Sequence, residues 1–351
     1  MTSRDNTIDV LRTIGLLSII LAHVSPPLFI NSLRTFDVPL MVIVSAFAYS
    51  GSRANSLPYS DYLKKRINRL IVPVWIFLIL YFIFFYMVDL LTGNHTVTLL
   101  KILCSFLLLN NDSIGYVWII RIFIIVATLS PLLKIIARKV ETNAFYLLIV
   151  LAVMSGYSFV VSIPANSLFD THSRLVFTVF YEYLLYSIPY SLIFLIGLII
   201  KQKTSFELFF TSILLLCGFL ITIYFLNISF NEINSFKNPP QHIWLVYGVA
   251  GSILLYSIVS KISLNKNVNK LIVFISSSSM WIYLWHIFIL NMWGYGISYV
   301  PIMCKYYIIK FMIIVLLSSG IVFTQKRIIS CYLRNTNLSK QVKSFFNIAF
   351  M

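Results

Sequence analysis

The sequence is poor in charged residues, which make up 11% of the chain, against about 25% in an average soluble domain. With 59% hydrophobic residues and a mean hydropathy of +0.90, this scarcity excludes an ordinary soluble fold. Apolar runs of about 18 residues or more recur along the chain, each long enough to cross the hydrocarbon core as a helix. They are continuous rather than short and alternating, which argues against a membrane β-barrel.

Cysteine is also scarce. The four cysteines are scattered, mostly in apolar runs: Cys104, Cys217, Cys304 and Cys331. They form no Cys-x-x-Cys pair and no cysteine–histidine spacing typical of a metal site. We therefore interpret them as small packed side chains and expect no metal cofactor.

The apolar runs predict an all-α, polytopic membrane bundle of about ten transmembrane helices. The first run is interpreted as a retained helix rather than a signal peptide, because Asp9 and Arg12 precede its apolar part and no convincing cleavage site follows. The stretch 96–109 is too short to span and is typical of a re-entrant or interfacial helix. The predicted spans are 8–30, 35–51, 70–90, 116–135, 144–163, 181–200, 206–227, 243–260, 271–292 and 304–324.

Basic residues set the expected orientation. Most of the 27 lysines and arginines fall in one set of short loops and in both tails, which places both termini in the cytoplasm. Because the net charge of +16 is explained by these loops, it does not indicate nucleic acid as a partner. We expect residues 1–330 to form the transmembrane domain and 331–351 a cytoplasmic tail. The sequence has no internal repeat of the kind found in inverted-repeat transporters.

The first predicted helix carries a polar stripe. Arg12 and His23 are eleven residues apart, which is about three turns, so they share one face about 16 Å apart along the axis. Asp9 precedes Arg12 by three residues and lies on the same face. Such groups are costly in lipid and indicate a functional site inside the bundle. The alternative is that Arg12 snorkels to the surface while His23 is a core histidine bonded to a neighbour.

A basic cluster precedes the third predicted span and comprises Lys64, Lys65, Arg66, Asn68 and Arg69. Arg66 and Arg69 are three residues apart, so their guanidinium groups can converge on one phosphate. The helix N-terminus adds to this preference for an anion. The alternative is that the cluster anchors the protein to anionic lipid head groups.

Further polar residues are predicted in the outer half of the bundle, as His23 is. They are Asp37, Arg121, Glu182 and His286. Together with His23 they could line one outward-facing pocket, and we predict substrate-binding roles for Arg121, Glu182 and His286. Alternatively, they are interfacial residues mixed with the aromatic belt.

Two of these motifs occur together in a known family. Ile8–Arg12, followed by ten residues and His23, resembles the first-helix motif of the acyltransferase-3 membrane proteins. Arg66-Ile67-Asn68-Arg69 matches the RxxR motif of that family. Each pattern is weak alone, but their order and placement on helices are specific together.

Other segments extend the resemblance over nearly the whole chain. Val38-Pro39-Leu40 followed by Ser45 is similar to the second-helix signature of the family, although Ala46 replaces the usual glycine. The region around Trp118 and the segment Ile282–His286 resemble later blocks.

The resemblance implies transfer of an acyl group, usually acetyl, from cytoplasmic acetyl-CoA to a hydroxyl of a cell-surface polysaccharide or lipid-linked oligosaccharide. It implies a location in the bacterial cytoplasmic (inner) membrane, with membrane lipids as further partners. Many members carry an additional SGNH-type domain, and this chain resembles the stand-alone members.

The residues suggest how the two ends of the donor are held. We expect the polyanionic head of acyl-CoA to rest on Lys65, Arg66 and Arg69. Arg12 would lie near the entry, and the thin pantetheine arm would run into the bundle toward His23.

His23 is the predicted general base. An imidazole is mostly neutral at pH 7, so it can accept the proton of the attacking hydroxyl. Asp37 is the candidate for orienting the ring. Direct transfer needs fewer steps than a covalent acyl-histidine, but both remain open.

Two other functions compete with an enzyme. A polysaccharide exporter or transporter without acyl transfer would be favoured by Gly- or Pro-broken helices at the midplane. A membrane scaffold or sensor would not need a buried arginine–histidine stripe.

Overall fold

The computed structural model describes residues 5–52, 57–110, 112–142, 144–162, 179, 181–296, 306–335 and 339–350. All regular elements in these ranges are helical, which confirms the predicted all-α bundle. The α-helices are α1 (Asn6–Ala22), α2 (Leu28–Leu33), α3 (Asp37–Ser50), α4 (Tyr59–Thr92), α5 (Leu99–Phe106), α6 (Trp118–Thr142), α7 (Ala144–Ser162), α8 (Ser187–Ile200), α9 (Ser205–Phe225), α10 (His242–Val259), α11 (Lys266–Ser277), α12 (Ser279–Gly296), α13 (Tyr307–Asn335) and α14 (Lys340–Phe350). A π-helical turn, Tyr181–Leu185, precedes α8, and a 3-10 helix, Phe230–Lys237, lies between α9 and α10.

Seven helical segments in the described ranges are long and apolar enough to cross a membrane, or up to eight if α11 and α12 form one bent span. This makes the chain a multi-pass membrane protein. The other two of the ten predicted spans are also helical. Helix α1 has 17 residues and is shorter than its predicted span, 8–30, whereas α7 has 19 residues and matches the fifth predicted span, 144–163. Helix α5, with eight residues, is too short to span.

The first span was predicted to run through residue 30, and its outer end was wrong. Helix α1 ends at Ala22, and His23 is its C-cap. Ser25 has a positive φ of 57°, and Pro27 caps the start of α2. Consecutive prolines explain the break, because the residue before a proline avoids the helical region and proline cannot donate a helical hydrogen bond.

Helix α3 lies at the centre of the bundle and packs against α1, α8 and α10. Most of its residues are buried. Helix α8 approaches it closely at Gly197, where an added Cβ would lie 2.8 Å from Cβ of Ala46. Small residues at a helix contact let the backbones approach, so a larger residue at either position would push α3 and α8 apart.

Helix α4 is the longest element, with 34 residues. At 1.5 Å per residue it is about 50 Å long, which exceeds the hydrocarbon thickness of about 30 Å. Its surplus length carries the basic cluster 64–69 beyond the apolar part of the helix.

The predicted ninth span, 271–292, is broken. Helices α11 and α12 meet at Ser278 with a bend of 71°. The break falls in a run of four serines, 276–279, whose side chains can hydrogen-bond locally and so compete with a continuous helix.

The C-terminal segment, predicted as a tail, is a helix that packs back onto the bundle against α4 and α13. Trp281 Nε1 donates to the carbonyl of Ala349 at 3.0 Å, and Gln325 Nε2 donates to the carbonyl of Phe350 at 3.1 Å. The rings of Trp281 and Phe350 are stacked, with centroids 5.8 Å apart. The last helix is therefore part of the folded body.

Candidate active site

A cavity of about 1130 Å³ lies among α1, α3, α4, α6 and the α11–α12 break. This is slightly above the usual range for ligand pockets, about 300–1,000 Å³. Its inner part is apolar and includes Leu16, Ile19, Ile120 and Phe123. Asp5 and Asn347 both line it, so the two ends of the described chain lie on the same side of the bundle, as the basic loops predicted.

The rim of this cavity is basic. Lys64, Lys65, Arg66 and Arg69 line it, together with Asn68. Arg66 Nη2 donates to Oγ of Ser45 at 3.2 Å, which links the RxxR motif to α3. Within the described ranges, no carboxylate forms an ion pair with any of these four cations. The rim can therefore receive an anionic ligand.

Arg12 also lines the cavity and is held by a bridge to α11. Ser276 Oγ donates to Asp9 Oδ1 at 2.6 Å, and Arg12 Nη1 donates to the same Oγ at 3.3 Å. The predicted shared face of Asp9 and Arg12 is confirmed, because both side chains meet one serine. This bridge fixes α1 against the α11–α12 break and aims Arg12 at the cavity.

His23 and His286 form a pair inside the bundle. His23 Nδ1 and His286 Nε2 are 3.0 Å apart, and the two rings are nearly parallel with centroids 5.2 Å apart. His286 is fully buried, and the Tyr116 ring packs edge-on against His23 at 4.4 Å. The sequence had placed both histidines in one region but had not paired them.

The hydrogen-bond partners assign the tautomers of the pair. His286 Nδ1 faces the backbone carbonyl of Tyr283, which can only accept, so Nδ1 of His286 carries a hydrogen. In a neutral ring its Nε2 is then an acceptor, and His23 Nδ1 donates to it. The lone pair of neutral His23 therefore lies on Nε2, the atom that a general base would use.

Tyr283 borders both the cavity and the histidine pair. Tyr283 lines the cavity, and its ring centroid lies 4.8 Å from that of His286. Ile19, which is one helical turn before His23, also lines the cavity. Its hydroxyl donates to the carbonyl of Tyr116. Neither histidine lines the cavity itself, and Tyr283 connects the cavity wall to the histidine pair.

The chain is similar to one known protein family. A family model described as an acyltransferase domain matches residues 5–324. The chain belongs to the acyltransferase-3 family. It is therefore a membrane acyltransferase, and the resemblance seen in the motifs around His23 and Arg66 is confirmed at the level of the family. No curated protein and no solved structure matches the chain.

In this acyltransferase the carboxylate of Asp37 is hydrogen-bonded to groups other than an imidazole. Arg34 Nη1 donates to its Oδ2 at 2.5 Å, and the amide of Val38 donates to its Oδ1 at 2.7 Å. The hydrogen-bond partner of His23 Nδ1 is His286 and not Asp37, and the orienting role of Asp37 stays a prediction. Sequence spacing could not show this, because the partner comes from a helix more than 260 residues away in the chain.

Lys237 is a further cation near His23. Its Nζ lies 5.3 Å from the Trp118 ring centroid, and its charge acts on His23 together with that of Arg34. Burial lowers the pKa of Lys237. No motif could have revealed it, since it is brought in by the 3-10 helix before α10.

Arg121 and Glu182 are brought together, but away from the cavity. Arg121 Nη1 donates to Glu182 Oε2 and also to the carbonyl of Leu108 at 3.0 Å. The amide of Asn110 donates to the same carboxylate at 2.9 Å. The pair connects α6, the loop after α5 and the π-helical turn, which is a structural task; its substrate-binding role stays a prediction.

Proposed function

We propose that this acyltransferase moves an acetyl group from cytoplasmic acetyl-CoA to a hydroxyl of a cell-surface polysaccharide or lipid-linked sugar, in a bacterial cytoplasmic membrane. One observation carries the proposal. A large cavity has cations at its rim that no carboxylate in the described ranges pairs with, and its lining includes Tyr283, whose ring contacts that of His286, the partner of His23. A polyanionic thioester donor fits such a polarity gradient.

The donor side is argued from charge and shape. Acetyl-CoA has several phosphate groups at one end and an uncharged pantetheine arm at the other. The phosphates would contact Arg66 and Arg69, whose guanidinium groups favour phosphate oxygens. The uncharged arm would follow the apolar inner wall past Leu16 and Ile19 and bring the thioester to the histidine pair.

The chemistry follows from the tautomers. His23 Nε2 removes the proton of the acceptor hydroxyl while the hydroxyl oxygen bonds to the thioester carbonyl carbon. The carbon–sulfur bond then breaks, and the leaving CoA thiolate takes the proton from His23. A positioned base of this kind contributes about 10²–10⁴-fold to the rate. His286 positions the ring and supplies no proton to the substrate.

The acceptor would reach His23 from the side opposite the cavity. Lys237 and Trp118 are near that approach, and an indole face next to an ammonium suits a sugar with an anionic substituent. This supports a glycan acceptor over a soluble cytoplasmic one.

Membranes containing the protein test the proposal when they are incubated with acetyl-labelled CoA and extracted surface glycan. We expect base-labile label in the glycan, and none with membranes that lack the protein. Glycan movement across the membrane without covalent label would instead support the exporter. Label appearing only in free acetate would contradict a sugar acceptor.

A further inference from the structure

The α11–α12 break contains a buried hydroxyl that the site described so far does not use. Ser278 is 2% exposed, lines the cavity, and its Oγ has no hydrogen-bond partner. A buried hydroxyl without a partner is costly, so such an atom in a native fold calls for an explanation such as a ligand. The neighbouring hydroxyls of Ser276 and Ser277 are both satisfied within the protein.

The same position is the start of a long helix. The first intrahelical bond of α12 runs from the amide of Ile282 to the carbonyl of Ser278. The amides of residues 279–281 precede that bond and point out of the helix start. Ser279, Met280 and Trp281 all line the cavity, so these amides and the positive end of the helix dipole lie at the cavity wall.

Arg12 reaches the break from the facing helix through its bond to Ser276. A guanidinium, a helix N-terminus and an unused hydroxyl therefore meet at one wall. Each of them favours a negatively charged oxygen, and a helix N-terminus with a free hydroxyl is a common phosphate site. The bend of 71° is what turns the start of α12 toward the cavity.

We propose that Ser278 and the N-terminus of α12 bind a phosphate group of the acyl donor, as a second anion site besides the Arg66–Arg69 rim. This inference rests on the proposed function, because it takes CoA as the donor. The break between α11 and α12 would then contribute to donor binding.

Binding of CoA and of pantetheine, which has no phosphate, to the purified full-length protein tests the inference by calorimetry. We expect Ser278→Ala to weaken CoA binding about tenfold or more, as for the loss of a hydrogen bond to a charged group. Pantetheine binding should be unchanged, and Ser278→Thr, which keeps a hydroxyl, should restore most of the CoA affinity.

Ser257→Ala is the matched control. Ser257 is also 2% exposed, but its hydroxyl donates to the carbonyl of Leu254 at 2.8 Å and does not line the cavity. The Ser257→Ala variant should bind CoA with the affinity of the wild type. Thermal melting of all variants reports whether they are folded.

The possible outcomes distinguish a failure of the Ser278 phosphate site from a failure of the proposed function. Equal CoA affinity of wild type and Ser278→Ala overturns the phosphate site and leaves the proposed function standing. A parallel loss for CoA and pantetheine also overturns it, because the hydroxyl would then not act on a phosphate. A wild-type protein that does not bind CoA overturns the proposed donor itself, and the inference with it.

Discussion

The cations of the cavity rim and those of the outer half differ in one respect. Arg34 and Arg121 are buried, and each is paired with its own carboxylate, Asp37 or Glu182. Arg66 and Arg69 line a cavity, and no carboxylate in the described ranges pairs with them. A paired charge has its counter-ion within the protein, whereas a charge without a counter-ion at a cavity can receive one from a ligand.

This difference separates arginines that have an ion-pair partner from arginines that are open to a ligand, which the sequence analysis did not do. Both kinds occur in or next to apolar segments, and both are conspicuous there. What distinguishes them is the nearest carboxylate. It is three residues away for Arg34, but for Arg121 it is a tertiary contact, because Glu182 is 61 residues away in the chain.

The largest effect is expected at His23, where the cavity meets the outer half. His23→Ala should lower kcat by about 10²–10⁴-fold, because the base is lost, while CoA binding persists. Initial rates and calorimetry with CoA measure the two quantities. The control is His242→Ala, since His242 is an exposed histidine at the start of α10. If His23→Ala kept wild-type turnover, the base would have to be another group.

Breaking the Arg121–Glu182 pair should lower the stability of the folded protein. Glu182→Ala leaves a buried guanidinium without its counter-charge, and we expect a loss of about 3–5 kcal/mol in the free energy of unfolding. Thermal melting in detergent detects it as a lower Tm.

The double variant Arg121→Met with Glu182→Leu sharpens this contrast. Replacing both charges by apolar groups is often neutral, so stability and turnover should both recover. A double variant that folds but does not turn over would show that the pair binds substrate, as the sequence analysis predicted.

Replacing a rim arginine should act mainly on the binding of the donor. Arg66→Ala and Arg69→Ala should each raise the KM for acetyl-CoA by about 10–100-fold, the cost of a hydrogen bond to a charged group. The KM for the acceptor should be unchanged. The Tm should be unchanged for Arg69→Ala and slightly lower for Arg66→Ala, which also loses the hydrogen bond to Ser45. Lys203→Ala, at an exposed lysine that does not line the cavity, is the control. Equal increases for both substrates would indicate a distorted fold instead of a lost phosphate contact.

The smallest effect is expected for the bridge between α1 and α11. Ser276→Ala removes the hydroxyl that joins Asp9 and Arg12, and the free energy of unfolding should fall by about 1 kcal/mol. Chemical denaturation measures this change. A drop as large as that of Glu182→Ala would mean that the bridge is as important to the fold as the buried pair.

The parts that the sequence predicted well depend on local patterns. Hydrophobic runs located most helices, and the i,i+3 spacing of Arg66 and Arg69 placed both on one cavity wall. The basic loops indicated the side on which the ends of the chain lie. These inferences need only helix periodicity and the partition of charge at a membrane.

The parts that it missed depend on side-chain contacts, near or distant in the chain, or on local breaks. Asp37 was assigned to His23, but the nearby Arg34 binds it first. The pairing of His23 with His286 could not be read from spacing. The break at Ser278 did have a local signal, since four consecutive serines interrupt an otherwise apolar run.

Helix α14 has a practical consequence. Its Asn347 lines the cavity, as Asp5 does from the other end of the chain, and Ala349 and Phe350 are bonded to the bundle. An affinity tag or fluorescent fusion at either end would therefore lie next to the cavity. The exposed loop before α9, at Gln202 and Lys203, is the better place for a purification handle.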